Sequence, residues 1–184
     1  MVSSHKDINI KDIQGNAPDE TKAAVADALS FFTLSRHFNE VGFADAISQR
    51  IKVVEVRLGP QENSLKKTKT ECVVTSELDV QNDMTSALRI MHGGCTSFLM
   101  DICTSLPLVA LTGPGSYAGV TLSLTINFHA PAPLGSKLRI IARSIAVGGR
   151  TMTSRGEIWD TTNSRLLATG THMKMVQTET KPKL

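Results

Sequence analysis

The segment HGGCTSFLMDICTSLPLVAL, residues 92–111, constrains the fold more than any other part of this chain. Cys95, Phe98, Leu99, Ile102, Cys103 and Leu106 recur at i, i+3, i+4 and i+7, the spacing of a helix, and the one charge in the segment is Asp101. A helix this apolar must be enclosed, and it should begin at Gly93 or Gly94. Pro107 cannot donate to the carbonyl of Cys103, so a kink or an end is expected there, and Gly113-Pro114-Gly115 should end the helix in any case.

What surrounds the helix reads as strands. IKVVEVRL at 51–58 is β-branched and precedes a Gly59-Pro60 loop, and a second strand runs from about Thr68 to Asp79. From Val120 to Phe128 apolar residues alternate with Thr121, Ser123, Thr125 and Asn127, the period of a half-buried strand. Lys137–Val147, Thr151–Asp160 and Arg165–Val176 follow, joined by the turns Gly148-Gly149-Arg150 and Thr161–Ser164. The fold class is therefore α+β, an antiparallel sheet of about six strands wrapped around one central hydrophobic helix. Residues 1–50 form an N-terminal extension with an amphipathic helix from Glu20 to about Phe43, residues 51–176 the main domain, and 177–184 a polar tail.

Composition narrows the function. At 184 residues, on a prior of roughly 100 to 200 per domain, one domain is expected. A formal charge of +3 with 4% aromatic residues argues against a nucleic-acid surface. No uninterrupted apolar run of membrane-spanning length and no secretion-signal core stand in the chain, so a cytoplasmic location is expected, with peroxisome or mitochondrion left open; Pro182-Lys183-Leu184 echoes a peroxisomal address only faintly. Cys72, Cys95 and Cys103 form no CxxC pair and the five histidines no metal-ligand spacing, so neither metal nor cofactor is expected.

Two features carry chemistry. His92-Gly93-Gly94 at a helix start leaves the first N–H groups open to close approach by a ligand, a ready oxyanion site, although a tight loop entry would explain the glycines equally well. Asp101 sits mid-helix in a stretch almost free of charge, where a carboxylate needs a partner, a water-filled cavity or a catalytic task. At about 1.5 Å rise per residue the two lie roughly 12 Å apart. One carbonyl cannot touch both, so a two-fold dimer that brings one helix tip to the other protomer's Asp101 is the natural solution. Gly148-Gly149-Arg150-Thr151 offers exposed N–H groups and a guanidinium, with Lys137, Arg139 and Arg143 on one side of the preceding strand, which suits phosphates, although each of these three taken singly reads more simply as part of a solvated basic face.

HGGCTSFLMD, followed by AGVTLSLTINFHAPAPLG and VGGRT, resembles the hotdog-fold acyl-CoA thioesterases of the phenylacetate-pathway and thioesterase-superfamily type, over roughly residues 70–176. The resemblance implies a homodimer, assembled as a dimer of dimers, that hydrolyses acyl-CoA. It implies Asp101 as base or nucleophile, the N–H of Gly93 beside His92 as donor to the thioester carbonyl, and Thr121 as holder of the attacking water. Ser86 stands where many relatives carry asparagine. Strict alternation puts Thr121 on the strand face opposite Val120 and Leu122, so it reaches the site only if that face lines the dimer cleft. The nucleotide and pantetheine would lie along Phe128, His129 and Pro131 and along Val147, Gly148, Gly149, Arg150 and Thr151.

Two rival readings remain. Cys95 in the first helical turn, with His92 three residues before, could act as a nucleophile. A non-catalytic acyl-CoA-binding or assembly protein on the same scaffold is the other, and Ser86 is the feature that raises it. A hydratase would need an acid-base histidine inside the central helix, and there is none.

Overall fold

The computed structural model describes residues 9–32, 40–61, 70–113 and 119–176. The expected polar tail, residues 68–69 of the second strand and the Pro114-Gly115 pair lie outside these. Six strands, β1 Lys52–Pro60, β2 Thr70–Asp79, β3 Val120–Phe128, β4 Lys137–Val147, β5 Thr151–Asp160 and β6 Arg165–Met175, form one sheet in the order β1-β2-β4-β5-β6-β3. Every neighbouring pair is antiparallel. Extra residues in β1, β3, β4 and β6 break the register and bend the sheet, because an extra residue on one strand of a pair increases local twist. The bent sheet wraps α3, Gly93–Thr112, the hotdog arrangement expected from the sequence.

Close approach between helix and sheet is set by two glycines. Gly156 and Gly170 face each other across β5 and β6, and a Cβ on either would fall 3.0 Å or less from Met100. Their bare backbones admit Met100 and lower α3 onto the sheet beside His172, two residues past Gly170. Leu99, Leu106 and Leu108 are fully buried. By length and apolarity alone α3 would suffice to cross a bilayer, yet most of it is enclosed by its own sheet.

Two sequence expectations need correction. α3 runs unbroken through Pro107 to Thr112, since Leu106, Leu108 and Val109 bury its last turns against the sheet and outweigh one lost backbone bond. Helix α1 covers Asp19–Phe31; residues 33–39 of the expected helix lie outside the described residues, and residues 40–43 are not helical. Ala44 at φ 56° in the left-handed region breaks the backbone, Gly42 N–H donates to Asp45 Oδ2 at 2.9 Å, and a four-residue helix α2 follows at Asp45–Ser48. Val25, Ala28 and Leu29 of α1 and Ile47 of α2 belong to the same core as α3.

Candidate functional site

Asp101 lies at the centre of a hydrogen-bonded cluster on the β3–β6 side of α3. Its Oδ1 accepts from Thr121 Oγ1 at 3.3 Å and stands 3.2 Å from His172 Nε2. The imidazole is 2.9 Å from Thr121 Oγ1, and on its far side Nδ1 is 2.7 Å from Thr104 Oγ1. A carboxylate oxygen accepts, so the assignment that satisfies Asp101 puts the ring proton on Nε2, and the single Thr104 hydroxyl proton is then shared between Met100 O, at 2.6 Å, and Nδ1. Lys174 Nζ donates to Ser105 Oγ at 2.9 Å, and Ser105 Oγ donates to the main-chain oxygen of Asp101 at 2.8 Å.

The electrostatics follow from burial. His172 is wholly enclosed, and desolvation together with the nearby Lys174 charge holds it down to about 4, against the pull of Asp101 in the other direction. Burial also lowers Lys174, again opposed by Asp101. The imidazole is therefore neutral near pH 7 and acts as a fixed donor. The side chain of Asp101, by contrast, is 44% exposed. It meets solvent in a cavity of about 590 Å³ whose walls include Phe32, Phe43, Phe98, Ile102 and Leu124.

Thr121 enters this cluster because β3 is irregular. Val120 pairs with Met175 and Thr121 with Lys174, but the register then shifts, so that Ser123 pairs with Met173 and Leu124 with His172. Leu122 is the extra residue, and strict alternation fails there. Thr121 thus shares the helix-facing side with Leu124 and Ile126 instead of opposing them.

The oxyanion candidates sit at the other end of β3. His92 caps α3, its Nδ1 accepting from Gly94 N–H at 2.9 Å. A Cβ on Gly94 would lie 3.1 Å from that nitrogen, so the cap explains this glycine. Gly93 differs: a Cβ there would meet only the Phe128 ring, at an ordinary 3.8 Å, and no hydrogen bond engages its N–H among the described residues. Loop entry therefore does not explain Gly93. Ser86 is committed locally, its Oγ donating to Ile90 O and accepting from Leu88 N–H, both at 3.3 Å.

The remaining expected residues divide between the two ends. Phe128 lies beside Gly93, and His129 and Pro131 follow it in the chain, with His129 Nε2 2.9 Å from Thr169 Oγ1 and Pro131 O accepting from Arg165 at 2.7 Å. The turn from Val147 through Gly148, Gly149 and Arg150 to Thr151 lies across β6 from the Val120–Thr121 end of β3, since Thr151 and Val120 both pair with Met175 and Val176 N–H donates to Arg150 O. Two of the three basic residues on β4 are paired with acids of β2: Arg139 Nη2 is 2.7 Å from Glu77, and Arg143 is 3.9 Å from Glu71. Cys95 is a poor nucleophile, because burial, and then the Asp83 charge, push its thiol up to about 11. No cluster of three metal-ligating side chains exists among the described residues.

His172 and Lys174 were not singled out from the sequence. The signal was available in the period of β6, where Ala168, Gly170, His172 and Lys174 share the buried phase while Met173 and Met175 are exposed.

Comparison with known proteins bears on the fold and the family. Residues 88–166 match the family model described as the thioesterase superfamily. Acyl-coenzyme A thioesterase 13 of Homo sapiens is 29% identical over 101 residues, 55% of this chain and 71% of that protein. Zebra fish thioesterase superfamily member 2 superposes with a TM-score of 0.58 at 20% identity, covering 81% of this chain and 98% of the other, which bears on the fold alone. A hypothetical thioesterase solved with coenzyme A from Streptococcus pneumoniae TIGR4 gives a TM-score of 0.53 at 25% identity over 57% of this chain and 78% of its own.

Proposed function

From a hotdog-fold chain whose residues 88–166 match the thioesterase-superfamily model, we infer an acyl-CoA thioester hydrolase with composite sites at a two-fold interface. The observation that carries the reading is Asp101, a partly exposed carboxylate held by Thr121 and His172 in a cavity walled in part by Phe32, Phe43, Phe98, Ile102 and Leu124. Oδ1 is occupied by these donors and Oδ2 is left to the reaction. Water attacks the thioester carbonyl carbon while its proton passes to Asp101. The tetrahedral oxyanion rests on the Gly93 N–H, and its collapse expels the coenzyme A thiolate, which recovers the proton from Asp101. Attack by the carboxylate itself, through a mixed anhydride, uses the same placement.

The dimer follows from the separation of the two halves. Eight helical residues from Gly93 to Asp101 span about 12 Å, and the seven steps of β3 from Thr121 to Phe128 span about 23 Å. β3 is also an edge strand, with Val120, Leu122 and Phe128 each about half exposed. Pairing β3 with its own copy, antiparallel about a two-fold axis, covers this edge. It also brings the Gly93–Phe128–His129–Pro131 end of one protomer to the Asp101–Thr121–Arg150 end of the other. The coenzyme then lies between Phe128–Pro131 and the Val147–Thr151 turn, with no metal or cofactor in the chemistry. The coenzyme A in the streptococcal relative and the activity named for the human relative support this substrate class.

Asp101→Asn keeps the shape of the cluster and removes the base. Thiol release from acyl-CoA should fall by about 10² to 10⁴-fold with the thermal midpoint nearly unchanged. An Asp101→Asn protein of full activity would overturn the mechanism. Tight coenzyme A binding without hydrolysis by the native chain would instead favour a non-catalytic binder, a reading that the locally committed Ser86 keeps in view.

A further inference from the structure

The cavity beside Asp101 is not built by the strand-and-helix core alone. Gly94, Ser97, Phe98 and Asp101 fall on one face of α3, at i, i+3, i+4 and i+7, and supply its floor for about 10 Å. Its roof comes from the N-terminal extension: Phe32 closes α1, and Phe43 stacks edge-on against Phe98 with ring centroids 5.5 Å apart and planes at 76°. Phe43 is 83% exposed, an unusual place for a large aromatic ring that makes so specific a contact. Both roof residues lie outside residues 88–166, the stretch that matches the family model.

A thioester carbonyl carries two arms. If its carbon sits at Asp101, the sulfur arm leads toward the exposed turn at Arg150, and the acyl arm must take the other direction, along the floor from Asp101 toward Gly94. We propose that this roofed cavity is the acyl subsite, and that Phe43, seated on Phe98, makes the enzyme select apolar acyl groups longer than acetyl. The inference rests on the hydrolase reading and adds the substrate class. Beyond Asp101 the rings of Phe32, Phe43 and Phe98 line the cavity, so an acyl chain ending in a carboxylate would have to leave water for an apolar wall.

The test uses the full chain with acetyl-, octanoyl- and ω-carboxyoctanoyl-CoA. The native protein should prefer octanoyl over both others. Phe43→Ala, a change at an exposed position, should lower the octanoyl-to-acetyl ratio of kcat/KM about tenfold, the scale of a lost apolar contact in a pocket. Phe43→Trp should move the optimum toward shorter chains. An unaltered ratio in Phe43→Ala, or equal falls for both substrates, would overturn the proposal. Should no acyl-CoA release thiol, the hydrolase reading fails, and the subsite is then judged by calorimetric affinities. An octanoyl-over-acetyl preference erased by Phe43→Ala sustains it, and equal affinities overturn it.

Discussion

Asp101 Oδ1 and His172 Nε2 stand 3.2 Å apart, a carboxylate open to solvent resting on an imidazole with no solvent contact at all. The pair is asymmetric by design of the fold: α3 brings the acid to the cavity, while Gly156 and Gly170 lower the helix until Thr104 reaches the other ring nitrogen. A neutral histidine there fixes the direction of the carboxylate without neutralising it.

That arrangement has a pH signature in stability. The folded-state value of His172, about 4, lies below the 6.5 of the free side chain, so between those limits the unfolded chain binds a proton that the folded chain does not. Stability contributed by keeping this histidine neutral is present above about pH 6.5 and is lost as pH falls toward 4. The urea midpoint of the native chain should drop over that window. A His172→Gln protein, lower in stability at pH 7, should show a shallower slope, which paired urea titrations at pH 7 and 5 would reveal; parallel slopes would refute the account.

Thr121 both donates to Asp101 and accepts from His172. Replacing it by valine removes a hydrogen bond to a charged group, worth about 1.5 to 3 kcal/mol, and kcat should fall about 10- to 100-fold. Thr121→Ser retains the hydroxyl and should retain most of the rate. Steady-state thiol release by the two variants separates a role for the hydroxyl from a role for side-chain shape.

Much of this was legible before any coordinates, because each strand and the central helix carried its own period, and Asp101 was conspicuous as a lone charge. Local irregularity was not legible. The extra residue at Leu122 reverses the parity of β3, and nothing in an alternating sequence marks where a bulge will fall. Pro107 was read by its missing donor, whereas the packing of Leu106 and Leu108 decided the outcome. His172 and Lys174 were hidden by distance in sequence: their meaning depends on α3 lying over β6, a contact 68 or more residues away.

Gly93 and Gly94 should respond differently to alanine. At Gly94 the new methyl group lies 3.1 Å from the capping nitrogen of His92, so Gly94→Ala should lower the thermal midpoint through the loss of a cap worth about 1 kcal/mol. At Gly93 the methyl group fits within the protomer, so Gly93→Ala should keep its midpoint and lose turnover by intruding on the space in front of the N–H. Melting curves and rates measured side by side would show whether the two effects separate.

Cys95→Ser should turn over at close to the native rate, since a thiol pushed up to about 11 supplies little thiolate at neutral pH. Loss of the same size as in Asp101→Asn would return the cysteine to the mechanism.

Subunit complementation addresses the composite site most directly. Asp101→Asn inactivates the acid end, and a bulky Gly93→Val blocks the donor end, so each homodimer is inert at both of its sites. Mixing the two by co-expression or by refolding gives about half heterodimers, if pairing is random. In such a heterodimer one site inherits both lesions and the other inherits neither, because its Asp101 comes from one chain and its Gly93 from the other. Activity should therefore recover to about a quarter of the native level, well above the sum of the inert parents. Were Asp101 and Gly93 of one chain to serve the same site, every site would retain a lesion and mixing would restore nothing. Thiol-release rates before and after mixing, with subunit exchange confirmed by mass spectrometry, distinguish the two geometries without reference to which acyl group is used.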